Sequence, residues 1–285
     1  MHDFEKYILR KIDTGRDLTT EGLKLKYLLE NIQKVIKKEF KDIPITKSLR
    51  IDFDEFPYSS NEDLIWLKRI VDKIENVNIE EEKSESEEVE IGRFIKEALE
   101  DREIITDGER MEVFKTIIFH KFIGKNFIVV RSSIYDDFKN KVDNVIINKE
   151  TGEVVCAFDE VCLKGPNFDS RKKDKENIII KINRESGAKI KYGLFLQKEN
   201  DKMVLKKGEV QGVPIFYLSL EKDDLDDGIK SLAWSLDKIS EKEKEIWGKF
   251  KILLKEQGEE IIKDPRVSKD TKLKVENFLK FFEIY

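Results

Sequence analysis

Two apolar runs, Val142 to Asn148 and Glu153 to Leu163, flank the turn Lys149-Glu150-Thr151-Gly152. No other stretch constrains the fold as tightly. Short runs rich in Val and Ile on either side of a Gly-bearing turn read as a β-hairpin, with Gly152 placed for positive φ. The patterning of this hairpin, taken from Lys141 to Lys164, is broken in two places. Asp143 heads a strand that is otherwise apolar, and the partner strand is interrupted by Asp159 and Glu160.

Buried carboxylates are costly unless they are paired or bound to a cation. Two neighbouring strands can bring Asp143 together with Asp159 or Glu160. Such groups attract each other only through something positive between them. A hard divalent cation, Mg²⁺ or Mn²⁺, is the simplest candidate, because it takes oxygen ligands and keeps waters for a substrate phosphate. The metal-ligand candidates are therefore Asp143, Asp159 and Glu160. A second reading stays open, in which Asp159-Glu160 marks the strand's exit into solvent.

Around the hairpin the chain is organised in four parts. Residues 1–79 are mainly helical, with Thr19 or Thr20 as a cap and Leu23, Leu25, Leu28, Leu29, Ile32 and Ile36 as an apolar stripe. Within them Leu49 to Phe56 alternates like a short strand, and Asn61 can cap a further helix. Residues 80–90, a run of Glu, Ser and Lys, read as an acidic linker or loop. Residues 91–220 form the core. Helix is expected over Gly92 to Leu99 and Glu109 to Ile123, and strand over Phe127 to Arg131, then the hairpin. Asp169 to Glu176 is a loop or a first helical turn, and Asn177 to Ser186 is open between strand and helix. Strands follow at Lys189 to Gln197, Val204 to Lys206 and Val213 to Ser219. Residues 221–285 are helical again, with Ser219 as a cap for the first of these helices.

A helix carrying a Glu, then a strand, then a hairpin with Asp on one strand and an acidic pair on the next resembles the PD-(D/E)XK nuclease-like superfamily. The resemblance covers roughly Gly92 to Leu220. It implies an α+β fold: a small central mixed sheet flanked by helices, a restriction-endonuclease-like core, here with helical N- and C-terminal extensions. It implies Glu112 (or Glu109) as the acid of the first core helix, Asp143 as the first-strand Asp, and Asp159 or Glu160 as the acid of the second. The family's lysine lies two residues after that acid, where this chain has Val161 or Cys162. Lys164, Lys181 and Lys189 are candidates to replace it. The implied activity is metal-dependent hydrolysis of phosphodiester bonds in DNA or RNA. The alternative is a non-catalytic protein of the same fold that binds nucleic acid or a protein partner.

Composition removes other classes. Among 285 residues, 54 Lys and Arg face 59 Asp and Glu, for a net charge of -5. That argues against a general nucleic-acid coat protein but permits a local basic face. Two Cys and two His, scattered, argue against a disulfide scaffold and a zinc site. No run of about 18 or more apolar residues suits a membrane span, and no signal-peptide core stands at the N-terminus, so a cytoplasmic location is expected. Neither a P-loop nor a GxSxG motif is present. Asp136 and Asp137 read as exposed acids beside the site, either adding a metal ligand or a substrate contact or serving as turn or capping residues, and Arg131 and Lys139 could meet phosphate. His120 reads as a packing residue, and Arg171-Lys172-Lys173 as a solvent loop or backbone contact. The aromatic end, Phe278, Phe281, Phe282 and Tyr285, offers a homodimer surface or packs on the protein's own core.

Overall fold

The computed structural model describes residues 20–58, 62–63, 65–67, 107–163 and 168–284. The acidic linker, the helix expected at Gly92 to Leu99, Thr19, Asn61, Lys164 and Tyr285 lie outside the described residues.

The order is α1 (Thr20–Glu39), a 3-10 turn (Phe53–Glu55), α2 (Asp107–Ile123), β1 (Phe127–Arg131), α3 (Ile134–Asn140), β2 (Asn144–Asn148), β3 (Val154–Leu163) and α4 (Phe168–Arg184). Then come β4 (Ala188–Glu199), β5 (Lys202–Val213), β6 (Ile215–Glu221), α5 (Lys222–Ser231), α6 (Glu241–Lys263) and α7 (Lys269–Ile284). The fold is α+β. A four-stranded mixed sheet has the order β1-β2-β3-β6, and β4 pairs with β5 in a separate two-stranded sheet. β1, β2 and β3 are antiparallel neighbours, whereas β6 runs parallel to β3.

One face of the sheet carries Phe158 and Phe216, paired across β3 and β6. On that face Phe119 of α2 packs 5.0 Å from Phe158, and 5.1 and 5.9 Å from Trp247 and Phe250 of α6. Phe278 of α7 closes the cluster, and Phe281 lies 4.5 Å from Phe127. Of the two roles for the aromatic end, packing on the core holds for Phe278 and Phe281. The opposite face of the sheet meets α4, whose Lys175 and Glu176 bond Asp159 and Tyr217.

Both sheet edges are covered, as exposed strand edges invite further pairing. At β6 the Asn183 amide bonds both backbone groups of Ile215, and the Gln257 amide does the same for Tyr217. At β1 the segment around Arg50 bonds Arg131 in both directions. This is what the alternating stretch Leu49 to Phe56 does. It makes isolated bridges at Arg50 and Ile51 and then a 3-10 turn, not a strand of its own.

Other local expectations are decided or corrected as well. Asp169 to Ser186 belongs mostly to the single helix α4, so its Ile triplet is helical. Tyr135 to Lys139 lies in α3, capped by Ser133, whose Oγ accepts from the Asp136 N–H. Ser219 lies inside β6, and Glu221 stands at the N-cap of α5. The short strand at Val204 to Lys206 is part of the first half of a twelve-residue strand, β5. In each case tertiary packing overrides weak local periodicity.

The hairpin turn behaves as its residues require. Asn148 Oδ1 accepts from the N–H groups of Glu150 and Thr151, and Gly152 has φ +79°. A Cβ at position 152 would stand 1.9 Å from the Leu196 carbonyl oxygen, and the Gly152 carbonyl accepts from Leu196 N–H. Gly152→Ala is therefore expected to lower the unfolding free energy by more than about 1 kcal/mol in urea titration. A change within roughly 0.5 kcal/mol would show that this contact tolerates a side chain.

Candidate active site

Glu112, Lys115 and Thr116 stand at i, i+3 and i+4 of α2, so one helix face carries all three. That face lies over the head of the hairpin. Glu112 is almost buried and is held from two directions. Arg131 donates to both of its oxygens at 2.6 and 2.7 Å. Arg50 donates to the same pair at 3.1 and 3.3 Å, and its other nitrogen reaches Asp137 at 2.8 Å. Lys115, almost wholly buried, bonds Glu160 and sits 5.4 Å above the Phe158 ring. Thr116 accepts from the Asn144 amide at 2.7 Å.

Strand alternation then separates the acidic pair. Phe158 and Glu160 share the α2 face, where Lys115 meets both. Asp159 points the other way and takes a forked bond from Lys175 of α4, 2.6 Å to each oxygen. Asp143, just before β2 and partly buried, accepts from the backbone N–H of Glu160 at 2.9 Å. The structure thus gathers Glu112, Asp143, Asp159 and Glu160 around the hairpin head, but on two sides of the sheet. Among the described residues Asp143 alone of these four has no ion-pair partner.

The cluster's electrostatics follow from this count. Glu112, Asp137, Asp143, Asp159 and Glu160 face Arg50, Arg131, Lys115 and Lys175, so one carboxylate is in excess. Burial pushes the Asp143 carboxyl up to about 6, helped by the charges of Asp159 and Glu112. Burial and then Asp143 raise Glu160 well above the usual carboxylate range, against the pull of Lys115. Burial also opposes ionisation of Glu112, but Arg131 and Arg50 outweigh it and bring its pKa down to about 2. Asp137 is raised by burial more than Arg50 lowers it.

The lysines chosen from sequence are elsewhere. Lys181 is 74% exposed and lies 3.8 Å from Glu185, and Lys189 pairs with Glu209. Neither pairs with an acid of the cluster. Lys164 lies outside the described residues. The cations that do reach the acids are Lys115 and Lys175, and sequence reading passed over both. Lys115 had a signal, since it interrupts an apolar helical stretch three residues after Glu112. Lys175 had none, because it stands among other charges.

Asp136 is also corrected. It is buried rather than exposed, and accepts from Asn140, from its cap residue Ser133, and from the N–H groups of Lys191 and Tyr192. With its oxygens so engaged it ties α3 to β4. Arg131 is committed to Glu112, and Lys139 lies 5.0 Å over Trp66.

A divalent cation can be tested against the donor set. Among the described residues no three His, Cys, Asp or Glu side chains converge to hold a metal by themselves. Two carboxylates plus waters and phosphate oxygens suffice for Mg²⁺. Among the described residues Glu160 Oε1 is buried with no hydrogen-bond partner, and Asp143 reaches the Glu160 backbone N–H. Hard oxygen donors with an unmet demand for positive charge fit such an ion. No described helix is long and apolar enough to cross a membrane. Comparison with family models, curated proteins and solved structures finds no match for this chain.

Proposed function

We propose that the chain is a divergent nuclease of the PD-(D/E)XK type, hydrolysing phosphodiester bonds of DNA or RNA with Mg²⁺ or Mn²⁺. One observation carries the reading. The Lys115 ammonium reaches Glu160 where Asp143 meets the Glu160 backbone, so an acid from each strand of the hairpin and a lysine stand together. The lysine comes from α2 instead of from two residues past the acid. The element order supports the same reading, with a Glu-bearing helix, a strand, the acidic hairpin, and a parallel strand completing a mixed sheet flanked by helices.

On this reading Glu160 is the acid of the second strand, and Asp143 and Glu160 would hold the cation. Bound there, it would lower the pKa of a water and polarise the scissile phosphate. Lys115 would stabilise negative charge developing on phosphate oxygens. Glu112, clasped by two arginines, would position Arg50 and Arg131 beside that charge. Asp159, on the far face, would hold Lys175 and the start of α4.

The alternative, a protein of this fold that binds nucleic acid or a protein partner without cleaving, is favoured by one specific observation. Glu112, Asp159 and Glu160 are each already neutralised by a side chain of the protein. Labelled single- and double-stranded DNA and RNA, incubated with Mg²⁺ or Mn²⁺, separate the two. Cleavage by the wild type is expected, with Lys115→Met slower by about 10²-fold. Absence of cleavage by folded wild-type protein on every substrate would leave the non-catalytic reading.

A further inference from the structure

Asn144 is 1% exposed, and its amide orientation is dictated by its neighbours. The NH₂ group donates to Thr116 Oγ1 at 2.7 Å and points to the Val130 carbonyl at 3.4 Å. Thr116 has already given its hydroxyl hydrogen to the Glu112 carbonyl at 2.7 Å, and a carbonyl can only accept. Both neighbours therefore demand the nitrogen, and Oδ1 is turned away from them. It has no hydrogen-bond partner among the described residues.

Glu160 Oε1 is in the same condition. Its other oxygen takes Lys115, while Oε1 is buried without a partner among the described residues. The two orphaned oxygens belong to one neighbourhood. Asn144 is the register partner of Phe158, and Glu160 lies two residues along the same strand on the same face. Lys115 and Thr116, which hold Glu160 and Asn144, are consecutive in α2. Buried acceptors without donors are unfavourable unless something positive meets them. Two of them on one face, beside Asp143, mark a place for a cation.

We propose that Asn144 Oδ1 is a third protein ligand for the divalent cation, beside Asp143 and Glu160; the proposal rests on the metal-dependent reading above. Amide oxygens serve hard cations as carboxylates do. The amide adds a ligand without adding charge. A further carboxylate here would add to the repulsion already felt among Asp143, Glu112 and Glu160.

The test is Mn²⁺ binding to the full chain without nucleic acid, read by calorimetry and by loss of the free-ion EPR signal, at pH 8. Wild type is expected to bind, and Asn144→Ala to bind at least about tenfold more weakly. Glu259→Gln, in the exposed pair with Lys263 on α6, is expected to match wild type. Asn144→Asp keeps an oxygen in place and is expected to bind at least as tightly as wild type. It carries the test if Asn144→Ala does not fold. Unchanged affinity in folded Asn144→Ala, or weaker binding by folded Asn144→Asp, overturns the role of Asn144 and leaves the nuclease reading standing. No Mn²⁺ binding by wild type overturns both.

Discussion

Glu112→Gln is expected to lower the unfolding free energy by about 3–5 kcal/mol at neutral pH, the usual cost of breaking a buried ion pair from one side. The substitution keeps the shape of the side chain and one acceptor oxygen. Among the described residues it removes the one carboxylate that bonds both Arg131 and Arg50, and both guanidinium groups are about nine-tenths buried. Asp137 still answers Arg50, but no other acid is paired with Arg131 among the described residues. Urea titration with an unchanged slope would measure the loss. A loss below about 1 kcal/mol would mean that the arginines find other partners, and the role given to Glu112 would fail.

The same residue predicts a pH signature. Its folded pKa, about 2, lies below the ordinary carboxylate value. Its contribution is therefore fully present above about pH 4.3 and is lost as pH falls through about 2. Wild type should lose stability over that window, and Glu112→Gln should lose less. Parallel curves for the two proteins would contradict the assignment.

Asp143→Asn is expected to act in opposite directions on activity and stability. On the proposed metal-dependent reading, cleavage should fall by about 10³-fold, because a charged oxygen that would hold the cation becomes neutral. Stability should rise by about 1–2 kcal/mol at pH 8. Here the folded pKa is raised to about 6, so the fold prefers the protonated carboxyl. The stabilisation that preference gives is present below about pH 4 and lost as pH rises through about 6. An amide cannot ionise and escapes that loss, while its oxygen still accepts from the Glu160 N–H. The gain should therefore appear as pH rises from about 4 to 7. A pH-independent difference would show that ionisation of the buried Asp143 carboxyl is not its cause. Stability yielded at a residue needed for chemistry is a common pattern in active sites.

How much of this was legible in the chain depends on the range of the interaction. The hairpin was readable because its determinants are local: two apolar runs, Asn148 bonding the turn it opens, and Gly152 in the one conformation that a side chain would strain. α1 and α2 were readable from apolar spacing, and the acids at Asp143, Asp159 and Glu160 from their intrusion into apolar runs. α4 was not, because its first turns have no apolar face and its Ile triplet suits a strand equally well. The β4–β5 pair was read too short because β5 is half-buried along most of its length and lacks clean alternation.

The sequence by itself determined the acids, the turn and the strands that carry them. The structure shows that adjacent Asp159 and Glu160 face opposite sides of the sheet, with Lys175 on one and Lys115 on the other. Only the tertiary structure decided which cation each acid meets. Lys115 comes to Glu160 from 45 residues away, and Arg50 to Glu112 from 62. Packing of α2 on one face and α4 on the other makes those meetings. Charge pairing has no period and no fixed spacing along the chain, so it leaves no pattern to read until the elements are assembled.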